Sequence, residues 1–161
     1  MRPIVLLLFT TFVLNIVTPS VSIALEAINT YGVGGGFFSD PPRTDVAIKG
    51  YDTVAYFKVK KPVLGSDVFV TTWKGAKWKF SSSENLAAFK ENPEKYAPQF
   101  GGYCAYGIAQ GYAVKIEPDQ WTIVDGKLYL NYDADVSKKW NKDQIKFINE
   151  AKEKFESVLK K

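Results

Sequence analysis

The chemistry available to this chain gathers around one thiol. Cys104 is the only cysteine, within Phe100-Gly101-Gly102-Tyr103-Cys104-Ala105-Tyr106-Gly107-Ile108-Ala109-Gln110-Gly111, and the chain contains no histidine. Without an imidazole, Cys–His and Ser-His-Asp catalysis are excluded. A closed zinc site lacks its ligand set for the same reason. Two roles stay open for Cys104. It can be a small buried hydrophobe among small apolar neighbours, or a thiol activated by the start of a helix. Soft monovalent copper is the metal that suits it, although one thiolate is a poor site without a partner such as a second chain. Tyr103 and Tyr106 beside it, with Tyr51, can line a ligand pocket through their hydroxyls or serve as core rings bonded at an edge. The carboxylates of Asp45, Asp52 and Asp133 could hold a hard cation, yet nothing in their spacing favours that over turn and cap roles.

The elements that must position these residues are marked by turn and cap chemistry. Val68–Trp73 and Ala76–Phe80 flank Lys74-Gly75, which reads as a hairpin of aromatic and β-branched strands. Trp121–Val124 and Lys127–Leu130 are joined by Asp125-Gly126, the stronger hairpin signal, because both turn positions need positive φ. Thr53–Val59 reads as a further β-type run. Ser81 with Glu84 three residues on forms a capping box for a helix carrying Leu86 and Phe89. Asn92-Pro93 starts a second, short helix. A third helix is predicted over 103–110, ended by Gly111. A long amphipathic helix over 134–159 buries Val136, Trp140, Phe147, Ile148, Ala151, Phe155 and Val158, with Glu150–Lys154 pairing on its outer face. Trp73, Trp78, Trp121 and Trp140 are expected as core rings. The predicted class is α+β: a small antiparallel sheet built from two hairpins, covered by short helices and the long C-terminal one.

Length and ends set the frame. A chain of 161 residues, 46% hydrophobic and 24% charged, is one globular domain with room for one core. The net charge of +4 is mild and spread along the chain, so no nucleic-acid partner is expected. Arg2, the apolar run from Ile4 to Val17, Pro19 and Ser22-Ile23-Ala24 follow the order of a secretory signal over 1–24, cut after Ala24 or after Ser22. The competing reading is an uncleaved anchor. Asn15, Pro19 and the Ser/Thr residues dilute it below a good membrane span. The mature chain is therefore expected to be periplasmic or extracellular, with no stable membrane span. There a lone cysteine has no intrachain disulfide partner, which leaves burial, chemistry or an intermolecular contact through Cys104. Residues 25–43, with Gly32-Val33-Gly34-Gly35-Gly36 and Pro41-Pro42, read as a flexible linker, and the compact domain as 44–161.

Taken together, Gly50-Tyr51-Asp52-Thr53-Val54-Ala55-Tyr56-Phe57, Trp78-Lys79-Phe80-Ser81-Ser82, Asn92-Pro93-Glu94-Lys95-Tyr96-Ala97-Pro98, Gly101–Gly107 and Asp125–Tyr132 resemble the YHS domain family and its stand-alone exported members. The resemblance runs colinearly from Val46 to Trp140. It implies a small module of the kind found beside heavy-metal transport and copper-handling domains. The histidine of the family's name and the cysteine pairs of its metal-transport branch are missing here, which weighs against an imidazole- or dithiolate-based site. The expected function is a non-enzymatic binding module for a metal or small ligand, with Cys104, Tyr103, Tyr106 and Tyr51 as candidate ligand residues. The alternatives are an enzyme or redox protein using Cys104, and an interaction scaffold.

Overall fold

The computed structural model describes residues 26–32 and 42–161. The expected signal segment 1–24 lies outside the described residues, as does most of the expected linker. The class is α+β. The elements are α1 (Thr53–Lys58), β1 (Ser66–Trp73), β2 (Ala76–Phe80), α2 (Ser83–Glu91), α3 (Pro93–Tyr96), α4 (Ala105–Gln110), β3 (Glu117–Val124), β4 (Lys127–Asn131), α5 (Ala134–Trp140) and α6 (Gln144–Leu159).

Both predicted hairpins form. Lys74 (φ 48°) with Gly75 (φ 79°), and Asp125 (φ 49°) with Gly126 (φ 71°), supply the two positive-φ turn residues that match the twist of the flanking strands. Each hairpin is its own two-stranded sheet, β1–β2 and β3–β4, rather than half of a single one. Each ladder also shifts register, between Ser66 and Val70 and between Glu117 and Trp121.

Three local expectations are corrected. Thr53–Val59 is helical over Thr53–Lys58, because Asp52 Oδ1 accepts from the Val54 and Ala55 amides and caps a helix. Burial of Thr53 to Tyr56 then overrides the β propensity of the run. The cap of α2 is Ser82, whose hydroxyl accepts from the Asn85 amide, since the Ser81 hydroxyl is drawn 2.6 Å to Asp52 Oδ2. The C-terminal helix is two helices, because Asp143 accepts from the Lys146 amide and caps α6 afresh. On α6, Glu150 pairs with Lys146, while Lys154 donates to the Ala109 carbonyl.

Two apolar clusters make up the interior. The first joins α1, the β1–β2 hairpin and α2 through Tyr56, Trp78, Phe80 and Phe89. The second joins α4, α5 and α6 through Tyr103, Ile108, Trp140 and Ala151. β4 runs between them. Leu128 and Leu130 face the first cluster and Tyr129 the second, as alternation along a strand dictates. Trp78 and Trp140 are fully buried, whereas Trp73 and Trp121 are half-buried beside the first cluster.

The expected linker is corrected over residues 26–32. Ile28, Asn29, Thr30 and Tyr31 are buried, forming a strap across the domain. Asn29 holds it in place: its amide donates to the Gly101 carbonyl at 2.8 Å and its Nδ2 to the Gly102 carbonyl at 2.9 Å. Its own carbonyl accepts from the Ile48 amide. Contact requires the glycine at 101, and a φ of 78° favours it at 102. A Cβ on Gly101 would lie 1.9 Å from the Ala27 carbonyl oxygen, and one on Gly102 would lie 2.1 Å from Ile48 Cδ1.

Candidate functional site

Cys104 occupies the N-cap of α4. Its sulfur accepts from the Gly107 amide at 3.3 Å, and its S–H points to Asn131 Oδ1 at 3.8 Å. The side chain is 1% exposed. Burial pushes the thiol above its usual range, and the amide bonds from Gly107, Tyr132 and Tyr106 only partly oppose that. A helix of six residues thus supplies a cap contact without making a thiolate. The residues around the sulfur do not fit a copper ion. Its hydrogen-bond partners are a backbone amide and a carboxamide, and no group of three His, Cys, Asp or Glu able to hold a metal exists among the described residues.

The tyrosines grouped with Cys104 in sequence take different places, and of them only Tyr106 shares a partner with the thiol, its amide donating to the same Asn131 Oδ1. Tyr103 is fully buried in the second cluster. Its hydroxyl donates to the Glu26 carbonyl at 2.9 Å and accepts from Arg43 Nη1 at 3.1 Å, so it anchors the strap. Burial raises its pKa, and the Arg43 bond lowers it in part. Tyr106 is half-buried against the Phe147 ring, with centroids 4.9 Å apart. Tyr51 lies elsewhere, bridged to Leu64 and packed on the first cluster.

The three carboxylates also take structural roles. Asp45 pairs with Lys77 at 2.8 Å, and Asp133 caps α5. Asp52 is completely buried and tied on every side. Besides capping α1, its Oδ2 accepts from the Ser81 amide, the Ser81 hydroxyl and Asn85 Nδ2 at 2.8, 2.6 and 2.7 Å. One carboxylate therefore fastens α1, the end of β2 and α2 together.

A concavity large enough for a small ligand lies apart from the thiol. A cavity of about 390 Å³ opens between the strap at Ala27–Ile28, the tip of the β1–β2 hairpin, the end of α3 and the last turns of α6. Trp73, Phe100, Phe155 and Leu159 line it with apolar surface, and Lys74, Glu94 and Glu156 bring charge. Of the predicted site segment only Phe100 and Gly101 reach it. Sequence reasoning missed the others because they come from segments far apart in the chain. The one available signal was Trp73-Lys74, an aromatic and a cation at a hairpin tip.

The YHS domain family model matches residues 59–100, which span the β1–β2 hairpin, α2, α3 and Phe100. No curated protein and no solved structure matches the chain. The matched segment supplies the cavity's hairpin and α3 walls, Trp73, Lys74, Glu94 and Phe100 among them. Residues 59–100, which carry the β1–β2 hairpin, α2 and α3, are thus similar to the YHS domain family, as the sequence motifs there imply.

Proposed function

We propose that this chain is an exported, non-catalytic YHS module that binds a small ligand in the cavity between strap, hairpin tip and α6. The observation that carries the reading is the cavity itself. At about 390 Å³ it falls within the range of small-molecule sites, with both apolar side chains and charged groups in its lining. A binding role rather than a catalytic one is supported by Cys104, which is buried and whose thiol pKa that burial raises. Small-ligand rather than metal handling is supported by the amide surroundings of that thiol. Export rests on the basic, apolar and small-residue order of residues 1–24.

The test is made on protein purified from its native compartment, by native mass spectrometry, elemental analysis and N-terminal sequencing together. A retained small molecule that is lost in Leu159→Trp, which fills the cavity mouth, is the expected result. Equally empty wild type and variant overturn the reading, and a stoichiometric metal replaces it with metal handling. A mature N-terminus at Leu25 or Ile23 supports export by a cleaved signal, and an intact Met1 overturns the cleavage in favour of the uncleaved anchor.

A further inference from the structure

Resting on that reading, we infer that the cavity selects an organic cation: an amine or quaternary ammonium group on an apolar body. The chain already holds an ammonium there. Lys74 Nζ lies 4.4 Å from the centroid of the Trp73 ring and 2.9 Å from Glu94 Oε1. An aromatic face closed by a carboxylate is the chemistry by which ammonium groups are recognised. Lys74 thus marks a cation seat and competes for it in cis.

The charge around the cavity points the same way. The chain as a whole is basic, with a net charge of +4. Among the described residues, the cavity nonetheless carries two carboxylates, Glu94 and Glu156, against one cation, Lys74, which is already paired. A smaller hollow of about 210 Å³, also lined by Ala27, Ile28 and Lys74, has Glu26 at its edge, already paired with Arg43. An anionic ligand would have to bring its charge against these carboxylates. A cationic one replaces the Lys74 ammonium against Glu94 and meets Glu156 as a second carboxylate. The exchange is feasible because the Lys74 and Glu94 side chains are 49% and 72% exposed. A freed lysine swings into water, where a surface pair loses little. Phe100, Phe155 and Leu159 then face the ligand's apolar body.

The inference is tested on the full chain by NMR titration with three probes sharing a benzyl group: benzyltrimethylammonium, benzyl alcohol and benzoate. Shifts are read at the Trp73 indole and the Phe155 and Leu159 amides. The cation is expected to saturate these signals and to bind about fivefold or more tighter than the alcohol, with benzoate weakest. Lys74→Asn, which leaves an Asn-Gly turn pair suited to these φ values, should tighten the cation about threefold or more by removing the competitor. Glu156→Gln should weaken it by a similar factor. Binding of the alcohol or benzoate as tightly as the cation overturns the inference and leaves the small-ligand reading standing. Unchanged or weaker cation binding in Lys74→Asn also overturns it. If no probe moves the cavity signals, the inference falls, while the small-ligand reading is decided by whether the native protein retains a molecule.

Discussion

At the scale of single residues, two buried polar side chains hold more of the structure than the thiol chemistry first suggested. Cys104 acts as a cap, so Cys104→Ser should keep the domain nearly as stable as wild type, its hydroxyl accepting from Gly107 and donating to Asn131 as the thiol does. Cys104→Ala loses the cap and leaves a small void, at a cost of about 2 kcal/mol by urea denaturation. The raised thiol pKa adds a pH signature. Its stabilising contribution is complete below the ordinary thiol pKa. It fades as pH rises past about 9, because the unfolded chain then releases the proton that the folded chain retains. Wild type should therefore lose stability faster than Cys104→Ser above that pH, and parallel profiles would count against a buried thiol. Asp52 is the stronger case. Asp52→Ala orphans the donors that converge on it and should cost about 3 kcal/mol or more. Asp52→Asn should cost nearly as much, since it turns an N–H group toward three donors. A variant as stable as wild type in urea would show that those donors find other partners.

At the scale of elements, the strap depends on glycines. Gly101→Ala places a methyl group 1.9 Å from the Ala27 carbonyl oxygen, backbone against backbone, at a φ of 61°. The strap should lift, and the Asn29 amide, which donates to the Gly101 carbonyl, should lose its protection from hydrogen exchange while the β1–β2 and β3–β4 amides keep theirs. Gly75→Ala is the control. Its methyl group meets open space, and only the backbone penalty of about 1 kcal/mol remains. Equal exchange at Asn29 in both variants would remove the steric argument. These elements also show what the sequence could disclose. Both hairpins, the Asn92-Pro93 start and the Gly111 stop rest on chemistry within a few residues, and they are where that chemistry places them. The helix at Thr53 was hidden because its cap, Asp52, is fixed by Ser81 and Asn85, distant in sequence. The strap was hidden because a glycine- and proline-rich surrounding reads as a linker, and Asn29 finds its partners some seventy positions away. The same distance hid the cavity. Phe155 and Trp73 had each been assigned to a core face, and no periodicity reports a gap between two faces.

At the scale of the whole molecule, two clusters raise the question of whether one half can unfold without the other. The second cluster contains Trp140 and the α4–α6 contact, and the first contains most of the aromatic rings. β4 makes separate unfolding costly. Its four residues from Leu128 to Asn131 are all buried, facing alternate clusters, so loss of either side strips one face of a central strand. α4 adds a second tie: Cys104 packs in the first cluster, and Ala105 and Ile108 pack in the second. The domain should therefore unfold in one transition. Tryptophan fluorescence, weighted to the first cluster by Trp73, Trp78 and Trp121, should share its urea midpoint with the accessibility of Cys104 to a thiol reagent. Far-UV circular dichroism, dominated by α6 and its neighbours, should share it as well. A thiol that becomes reactive well before the fluorescence changes would mean that α4 and α6 leave as a unit. In that case the cavity wall made by Phe155 and Leu159 would open independently of the hairpin that carries Trp73 and Lys74.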